Sequence, residues 1–498
     1  MGEAPEPPSP PSSAFPTVTP TVRFTDVAGK SVFSYTSNND FTPRKYFPQP
    51  MCGGIALIDY DGDGKIDIFF TNGGKLPDYT RPDPSYYSCL LRGRGDGTFE
   101  EVTAKADIAG KNLDFSFGVA AGDFDNDADP DLFVANAGPN ALYRNNGDGT
   151  FTDITAGSGL DRKPKGLLSV CGAFFDYDKD GLLDLVVSHY TFWSPRLDRR
   201  CPTPDGEIYC YPGLYESVPH SLHRNLGNGK FEEIGFMAGV AYPEAGRPLS
   251  GMGADAKDLD DDGKPDIFHT ALSSETMPVF RNQGNNTFLE LTARAGVSSL
   301  SLSRAGWANA IVDLNNDGRK DLFVAGGDVM DPSGEFREKV RQTNLVMANL
   351  GNFKFADATS AAGPDFSTKR ATHRGGAFGD LDNDGRVDAL VTALDEGVEL
   401  WRNTSPAPNR WLAVRTVGTK SNRDGMGSEI TLTTPSGVRH SHVNTSVGYG
   451  GASDVRVHFG LGKDETVTKL EVRWPSGVVQ VLENVASNQV LVVTEPAK

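Results

Sequence analysis

The chain has 498 residues, 38% of them hydrophobic and 23% charged, with 48 Lys and Arg against 66 Asp and Glu for a formal net charge of −18. That acidity argues against a nucleic-acid partner, whose recognition starts from a basic face, and no apolar run approaches the roughly 18–20 residues needed to span a bilayer. With 56 Gly and 32 Pro, the composition suits many short strands and turns, in two or three domains or in one large repeat domain with an appendage.

From the amino end, MGEAPEPPSPPSSAFP has neither a basic n-region nor an apolar h-region, so it is not a signal peptide. Residues 1–21 read as a Pro-rich disordered tether, and the expectation is a processed or recombinant N-terminus. VRFTDVAG (22–29) reads as a single strand. Six copies of one phrase follow: Asp-x-Asp/Asn-x-Asp, usually a Gly, then Asp at the ninth position. They are DYDGDGKID from Asp59, DFDNDADPD from Asp123, DYDKDGLLD from Asp176, DLDDDGKPD from Asp258, DLNNDGRKD from Asp313 and DLDNDGRVD from Asp380.

Carboxylates at positions one, three, five and nine converge only where the backbone turns tightly, and Gly at position six supplies the positive φ. A cluster of hard oxygens suits Ca2+, which accepts six to eight of them, whereas Mg2+ prefers to keep its waters. The expected ligands, with a main-chain carbonyl at position seven, fall into six sets. The first is Asp59, Asp61, Asp63, Lys65 and Asp67, and the second is Asp123, Asp125, Asp127, Asp129 and Asp131. The third is Asp176, Asp178, Asp180, Leu182 and Asp184, and the fourth is Asp258, Asp260, Asp262, Lys264 and Asp266. The fifth is Asp313, Asn315, Asp317, Arg319 and Asp321, and the sixth is Asp380, Asp382, Asp384, Arg386 and Asp388. Two copies depart: Ala128 stands where Gly is expected, and Asn315 offers an oxygen without a charge. About six Ca2+ would leave a net charge of about −6, so most of the acidity is metal chemistry. An EF-hand would need Glu at position twelve and a helix on each side. That position holds Phe70, Val134, Val187, His269, Val324 and Val391, within short β-branched and aromatic runs that read as strands.

A second phrase recurs within each unit: LLRGRGDGTFEEVT (90–103), LYRNNGDGTFTDIT (142–155), LHRNLGNGKFEEI (222–234), VFRNQGNNTFLELT (279–292) and LVMANLGNFKFADAT (345–359). Each is a strand, a Gly/Asn turn and a strand. Four antiparallel strands repeated around an axis make a propeller blade. The last unit stops at LWRN (400–403), and the strand at 22–29 would supply its missing member, removing two exposed sheet edges. The fold class expected is all-β: a propeller over 22–408 with six blades, a seventh requiring strands around Trp411–Val417. The interval after the third copy carries an insertion, 189–220, rich in aromatics, Arg and Pro. It either carries function or is a stapled loop that plugs or flanks the channel. From about 409 the Asp phrases vanish, and WLAVRTVG, SEITLTT, RVHFGLG, VTKLEVRWP, VVQVLE and QVLVVTE predict a separate β-sandwich-like domain over 409–498. Cys201 and Cys210 bracket CPTPDGEIYC and are expected to form a disulfide; Cys52 and Cys89 could pair, leaving Cys171 buried on a strand.

The Asp copies resemble the FG-GAP/VCBS repeats of integrin α-subunit propellers. The tail SVGYGGASDVRVHFGLGKDETVTKLEVRWPSG (446–477) with NQVLVVTE (488–495) resembles the ASPIC/UnbV domain. With AGVAYPEAGRPLSGMGADAKD (238–258), the chain looks like a bacterial relative of the cartilage acidic protein family. The resemblance implies a secreted, calcium-loaded propeller used in extracellular interaction.

Arg94-Gly95-Asp96 spells an adhesive tripeptide but sits where sibling repeats have ordinary turn residues. His189, His220 and His223 lack the spacing of a metal hydrolase. Phe192, Trp193, Tyr209 and Tyr211 could stack on a sugar or pack on the blade. The function expected is an interaction module for an extracellular protein or glycan, in a secreted, periplasmic or cell-surface setting, with no catalytic residue assigned. The alternative is an enzyme on acidic polysaccharide, a lyase or dehydratase using a calcium site, for which Arg196, Arg199 and Arg200 beside His189 and Tyr190 would be the cluster.

Overall fold

The computed structural model describes residues 22–31, 35–161, 166–204, 206–216, 218–238, 251–285, 287–329 and 340–497. The tether at 1–21 and most of the 238–258 motif lie outside the described residues.

Each Asp phrase connects the first and second strands of a four-stranded antiparallel sheet. Blade 1 is Ile55–Ile58, Asp67–Phe70, Cys89–Gly93 and Phe99–Glu101. Blade 2 is Ser116–Gly122, Asp131–Asn136, Ala141–Asn145 and Phe151–Asp153. Blade 3 is Leu167–Phe175, Asp184–Phe192, Ser221–Asn225 and Phe231–Glu233. Blade 4 is Ala254–Lys257, Asp266–His269, Val279–Gly284 and Thr287–Glu290. Blade 5 is Gly306–Val312, Asp321–Gly326, Leu345–Asn349 and Phe355–Asp357. Blade 6 is His373–Gly379, Asp388–Ala393 and Glu399–Asn403, completed by Phe24–Asp26 from the other end of the chain. Phe24 pairs with Asn403 and Asp26 with Trp401, so the described residues form six blades and both ends of the propeller meet in one sheet.

The strand Arg410–Val417, the candidate for a seventh blade, lies instead between Val457–Gly462 and Gln489–Thr494. A second sheet runs in the order Gly437–His442, Glu429–Thr434, Thr466–Arg473, Val479–Ala486. Ile430, Leu432, Leu470 and Val472 of this sheet share a buried cluster with Leu412, Val414, Phe459 and Leu461 of the first. The sequence pattern had missed Gly437–His442, whose side chains are intermediate or exposed with no apolar alternation.

Five residues before each Asp phrase stand Gly54, Gly118, Cys171, Gly253, Ala308 and Gly375, on or beside the innermost strand. Small residues are needed there because backbones meet. A Cβ at Gly54 would lie 2.5 Å from the Phe117 carbonyl, and one at Gly375 would lie 2.0 Å from that of Gly53.

Candidate metal loops and the domain that caps them

The ninth-position aspartate is a backbone staple in every copy. One carboxylate oxygen accepts the N–H of position two and the other accepts an N–H from the blade's third strand. The donors are Tyr60 and Gly93 for Asp67, Phe124 and Asn145 for Asp131, and Tyr177 and Asn225 for Asp184. They are Leu259 and Asn282 for Asp266, Leu314 and Asn349 for Asp321, and Leu381 and Asn403 for Asp388. Position one accepts from the position-six N–H, as Gly64 donates to Asp59 and Gly385 to Asp380. The aspartates thus shape the turn as well as face its centre.

That centre fits a hard cation. Carboxylate oxygens of Asp59, Asp61 and Asp67 approach within 4.8 Å of one another, as do those of Asp123, Asp125 and Asp127; of Asp176, Asp178 and Asp184; of Asp258, Asp260 and Asp262; and of Asp380, Asp382 and Asp388. Asp59, Asp61, Asp125, Asp260 and Asp382 each bury an Oδ1 that no donor reaches. Buried oxygens with lone pairs turned inward are costly unless something positive meets them. Burial, reinforced by the neighbouring loop carboxylates and opposed by the two backbone donors, pushes the ninth-position carboxyls up. It takes Asp67 to about 8, Asp131 to about 10, Asp184 to about 6 and Asp266 to about 7. Asp321 and Asp388 rise well above the usual range for the same reasons. Residues at positions one, three, five and nine would hold the ion, which supplies the charge that lets them remain ionised.

A residue the sequence reading passed over joins the blades. The Asn that ends the third strand reaches with its side-chain amide to a neighbouring blade's loop: Asn145 to the Tyr60 carbonyl, Asn225 to Phe124, and Asn403 to Leu314. In the sequence the recurring Asn is a visible motif, but its local pattern signals only a hairpin and not the clasp to the next blade.

The C-terminal domain sits on the loop face. Position four of every copy takes a left-handed backbone, at Gly62, Asn126, Lys179, Asp261, Asn316 and Asn383, with φ between 57° and 68°. In copies two, five and six this residue meets the domain through its side chain. Arg423 donates its N–H to Asn126 Oδ1 at 2.8 Å, His458 Nε2 bonds Asn316 Oδ1 at 2.7 Å, and Arg456 Nη1 donates to Asn383 Oδ1 at 2.5 Å. Burial holds the His458 imidazole down at about 4, with Arg456 adding to the effect. Arg456 also reaches the Asp380 carbonyl, and Asn409 the Asn315 carbonyl.

From this domain one loop, Thr445–Asp454, enters the axis and touches the inner region of all six blades. The Gly450 carbonyl accepts from Ile55 and Val119, Gly451–Ala452 pairs in parallel with Ile55–Ala56, and the Gly450 backbone bonds the Cys171 thiol. Gly448 donates to the Ala254 carbonyl, and the Tyr449 ring meets Trp307 at 4.8 Å. Phe378 donates to Ser453 Oγ. Gly448 and Gly450 have φ of 72° and 61°, and a Cβ on Gly448 would lie 2.6 Å from the Asn309 carbonyl. From the opposite side Met51 accepts from the Tyr449 hydroxyl, and the Pro50 carbonyl accepts from Arg374, which lies over Trp307 at 4.0 Å. The tail signature therefore reads as an axial plug, and from the other side Trp193 of the 189–220 insertion joins the same buried cluster as Tyr449 and Trp307.

The insertion lies at the face opposite the Asp loops, because the second strand of each blade runs away from its Asp phrase. Its disulfide Cys201–Cys210 is present. Trp193 is fully buried and donates to Asp198, which also receives Arg44 and the Phe47 N–H. Tyr209 is buried, Phe192 is half-buried, and Tyr211, 63% exposed, is open to solvent. Cys52 and Cys89 do not pair: both are free and buried, burial pushing each thiol up to about 12. Cys171 is on the inner strand of blade 3, also free. His189 lies buried between Ser169 Oγ and Ser221 Oγ, whereas Tyr190, on the opposite side of the same strand, stacks on Phe47. Arg200 pairs with Glu207. The nominated Arg–His–Tyr cluster therefore does not converge. In the adhesive tripeptide, Arg94 pairs with Glu100 and Asp96 accepts from the Thr98 N–H and hydroxyl, as a turn residue does.

A family model for FG-GAP-like repeats matches residues 59–134, 123–187 and 258–324, and one for ASPIC and UnbV matches 418–498. The propeller therefore carries FG-GAP-like repeats, and the domain that caps it carries an ASPIC and UnbV domain. It is 25% identical over 453 residues to cartilage acidic protein 1 of Homo sapiens, covering 89% of this chain and 53% of that protein. It is 24% identical over the same length to the Mus musculus protein, covering 89% and 54%. The chain spans about half the length of the curated relatives it matches. Among solved structures, a lectin of Agrocybe aegerita that recognises non-reducing terminal N-acetylglucosamine aligns at 17% identity and a TM-score of 0.33, over 70% of this chain and 80% of that one. Among the described residues, no helix is long and apolar enough to cross a membrane.

Proposed function

We propose that this protein is a secreted calcium-binding propeller that engages an extracellular protein or glycan through the face opposite its metal loops. The observation that carries the reading is that the loop face and the axis are both occupied by the chain's own C-terminal domain. What remains is the opposite side, with the disulfide-closed insertion, exposed Tyr211 and Leu214, and a groove of about 1010 Å³ between Tyr87, Asp107 and Asp153. Calcium at five or six loops supplies rigidity: it neutralises carboxylates that otherwise repel one another, as the raised carboxyls require. The disulfide and the calcium chemistry both suit an oxidising, calcium-rich compartment, whether periplasm, cell surface or medium.

The test is a glycan array and an extracellular-protein pull-down with calcium-loaded protein, repeated with the Tyr211→Ala/Leu214→Ala double variant and with a charge change on the capped face, Arg423→Glu. The reading expects a binding partner whose capture falls at least tenfold with the first and is unchanged with the second. Turnover of an acidic polysaccharide, surviving the first variant, would contradict it.

A further inference from the structure

The position-three aspartate has a partner on the third strand, one residue before the stapling N–H. Arg92 Nε lies 2.5 Å from Asp61 Oδ2, Arg224 Nε 3.1 Å from Asp178 Oδ2 and Arg281 Nη2 2.7 Å from Asp260 Oδ2; Arg402 meets Asp382 Oδ2. Blade 2 has Arg144 in the same register beside Asp125. In three of these pairs the arginine takes Oδ2 while Oδ1 of the same carboxylate is buried with no donor, at Asp61, Asp260 and Asp382. The Asp382 side chain is only 8% exposed, so that oxygen is turned into the loop.

The fifth copy loses both members together: Asn315 replaces the aspartate and Ala348 replaces the arginine. Position seven adds a cation in four copies. Lys65 pairs with Asp63, Lys264 with Asp262, Arg319 with Asp317 and Arg386 with Asp384. Counted over positions one, three, five, seven and nine and the third-strand residue, with Lys179, Asp261 and Lys320 at other positions left outside the count, copies one, four and six set four aspartates against two cations. Copy five sets three aspartates against one. All four sum to −2, the charge that one divalent ion neutralises; copy three, with Leu182, keeps −3, and copy two, with Asp129, keeps −4.

We infer that the third-strand arginine is a positioning residue of the metal loop, holding the outer oxygen of the position-three carboxylate so that the inner one faces the ion. Copy five reaches the same loop charge with a neutral amide that needs no such partner. This rests on the calcium reading above. A charge-assisted pair at this distance fixes a carboxylate rotamer, and outer-shell partners of metal ligands commonly change affinity by about ten- to a hundredfold when removed.

Loop one is the place to test it, because Arg92 is 41% exposed and open to substitution. In the full chain, Arg92→Ala, Asp61→Asn and the Asp61→Asn/Arg92→Ala double variant would be titrated with calcium, counting ions by native mass spectrometry and following melting temperature in excess chelator. Removing a cation beside an anionic site strengthens cation binding if charge alone matters. The inference expects the reverse: Arg92→Ala weakens one site about tenfold, Asp61→Asn weakens it more, and the double variant, which copies loop five, returns to within about threefold of the parent. Melting in chelator should be the same for all four proteins. Tighter or unchanged calcium binding by Arg92→Ala, or a double variant as weak as the two single losses combined, overturns it. A parent chain that binds no calcium would overturn the calcium reading, and this inference with it.

Discussion

The two faces of the propeller are built from the same strands and have opposite fates. On the loop face the chain repeats one nine-residue phrase six times and then covers the result with its own C-terminal domain. On the opposite face the connections differ blade by blade, from the short turn at 137–140 to the insertion closed by Cys201–Cys210. Repetition marks the side that must be stiff and sealed; irregularity marks the side free to vary and to meet other molecules.

The largest effect should come from stripping the metal. A ligand present at about a hundred times its Kd stabilises by about 2.7 kcal/mol per site. Removing five or six ions should therefore lower the melting temperature by on the order of ten degrees or more, as calorimetry with and without chelator would show. A shift of a degree or two would mean that the loops are ordinary turns. Next comes the plug: Tyr449→Ala removes a buried ring and its bond to the Met51 carbonyl and should cost about 3–5 kcal/mol by denaturant unfolding in calcium. A loss below 1 kcal/mol would mean that the axis is not part of the core.

A third measurement separates the faces by pH. The ninth-position carboxyls titrate higher in the folded chain than in the unfolded one, for example about 6 at Asp184 and about 8 at Asp67, chiefly through burial. The calcium-free folded state then binds more protons than the unfolded state above pH 4. Its stability should be greatest at the acid end of that range and fall as pH rises through 6 to 8, while calcium-loaded protein should not show this fall. The opposite slope in chelator would contradict the site account.

Smaller changes sharpen the comparison. Asn316→Ala, which removes side-chain bonds to His458 and to the Gly385 carbonyl, should cost about 1–2 kcal/mol. Ala128→Gly should stabilise by about 1 kcal/mol, because Ala128 holds a φ of 85° that glycine adopts freely. Both are read by denaturant unfolding. Opening the disulfide with Cys201→Ser/Cys210→Ser should leave the main melting transition within a few degrees.

Much of the loop face was legible in the sequence. Asp phrases of constant spacing, hairpin phrases with Gly and Asn, and VRFTDVAG as the strand that completes the last blade are local signals, and the sheets follow them. The plug was not legible, because Gly448, Tyr449 and Gly450 form no periodic pattern and their partners lie far away in the chain, from Ile55 to Phe378. The clasping asparagines were visible as a recurring RN, but their use depends on the adjacent blade. Cys52 and Cys89 lie within one repeat, but nearness in sequence does not set where the fold places two thiols, and both are free and buried.

The central claim is that the metal loops seat the C-terminal domain and hold its plug in the axis. Hydrogen–deuterium exchange over residues 443–458, in calcium and in chelator at one temperature below melting, tests it directly. The account predicts strong protection of this segment with calcium and its loss, together with that of the loops at Asp313 and Asp380, when calcium is removed. Protection of 443–458 that stays unchanged while the loops open would show that the domain is seated independently of the metal and would contradict the account.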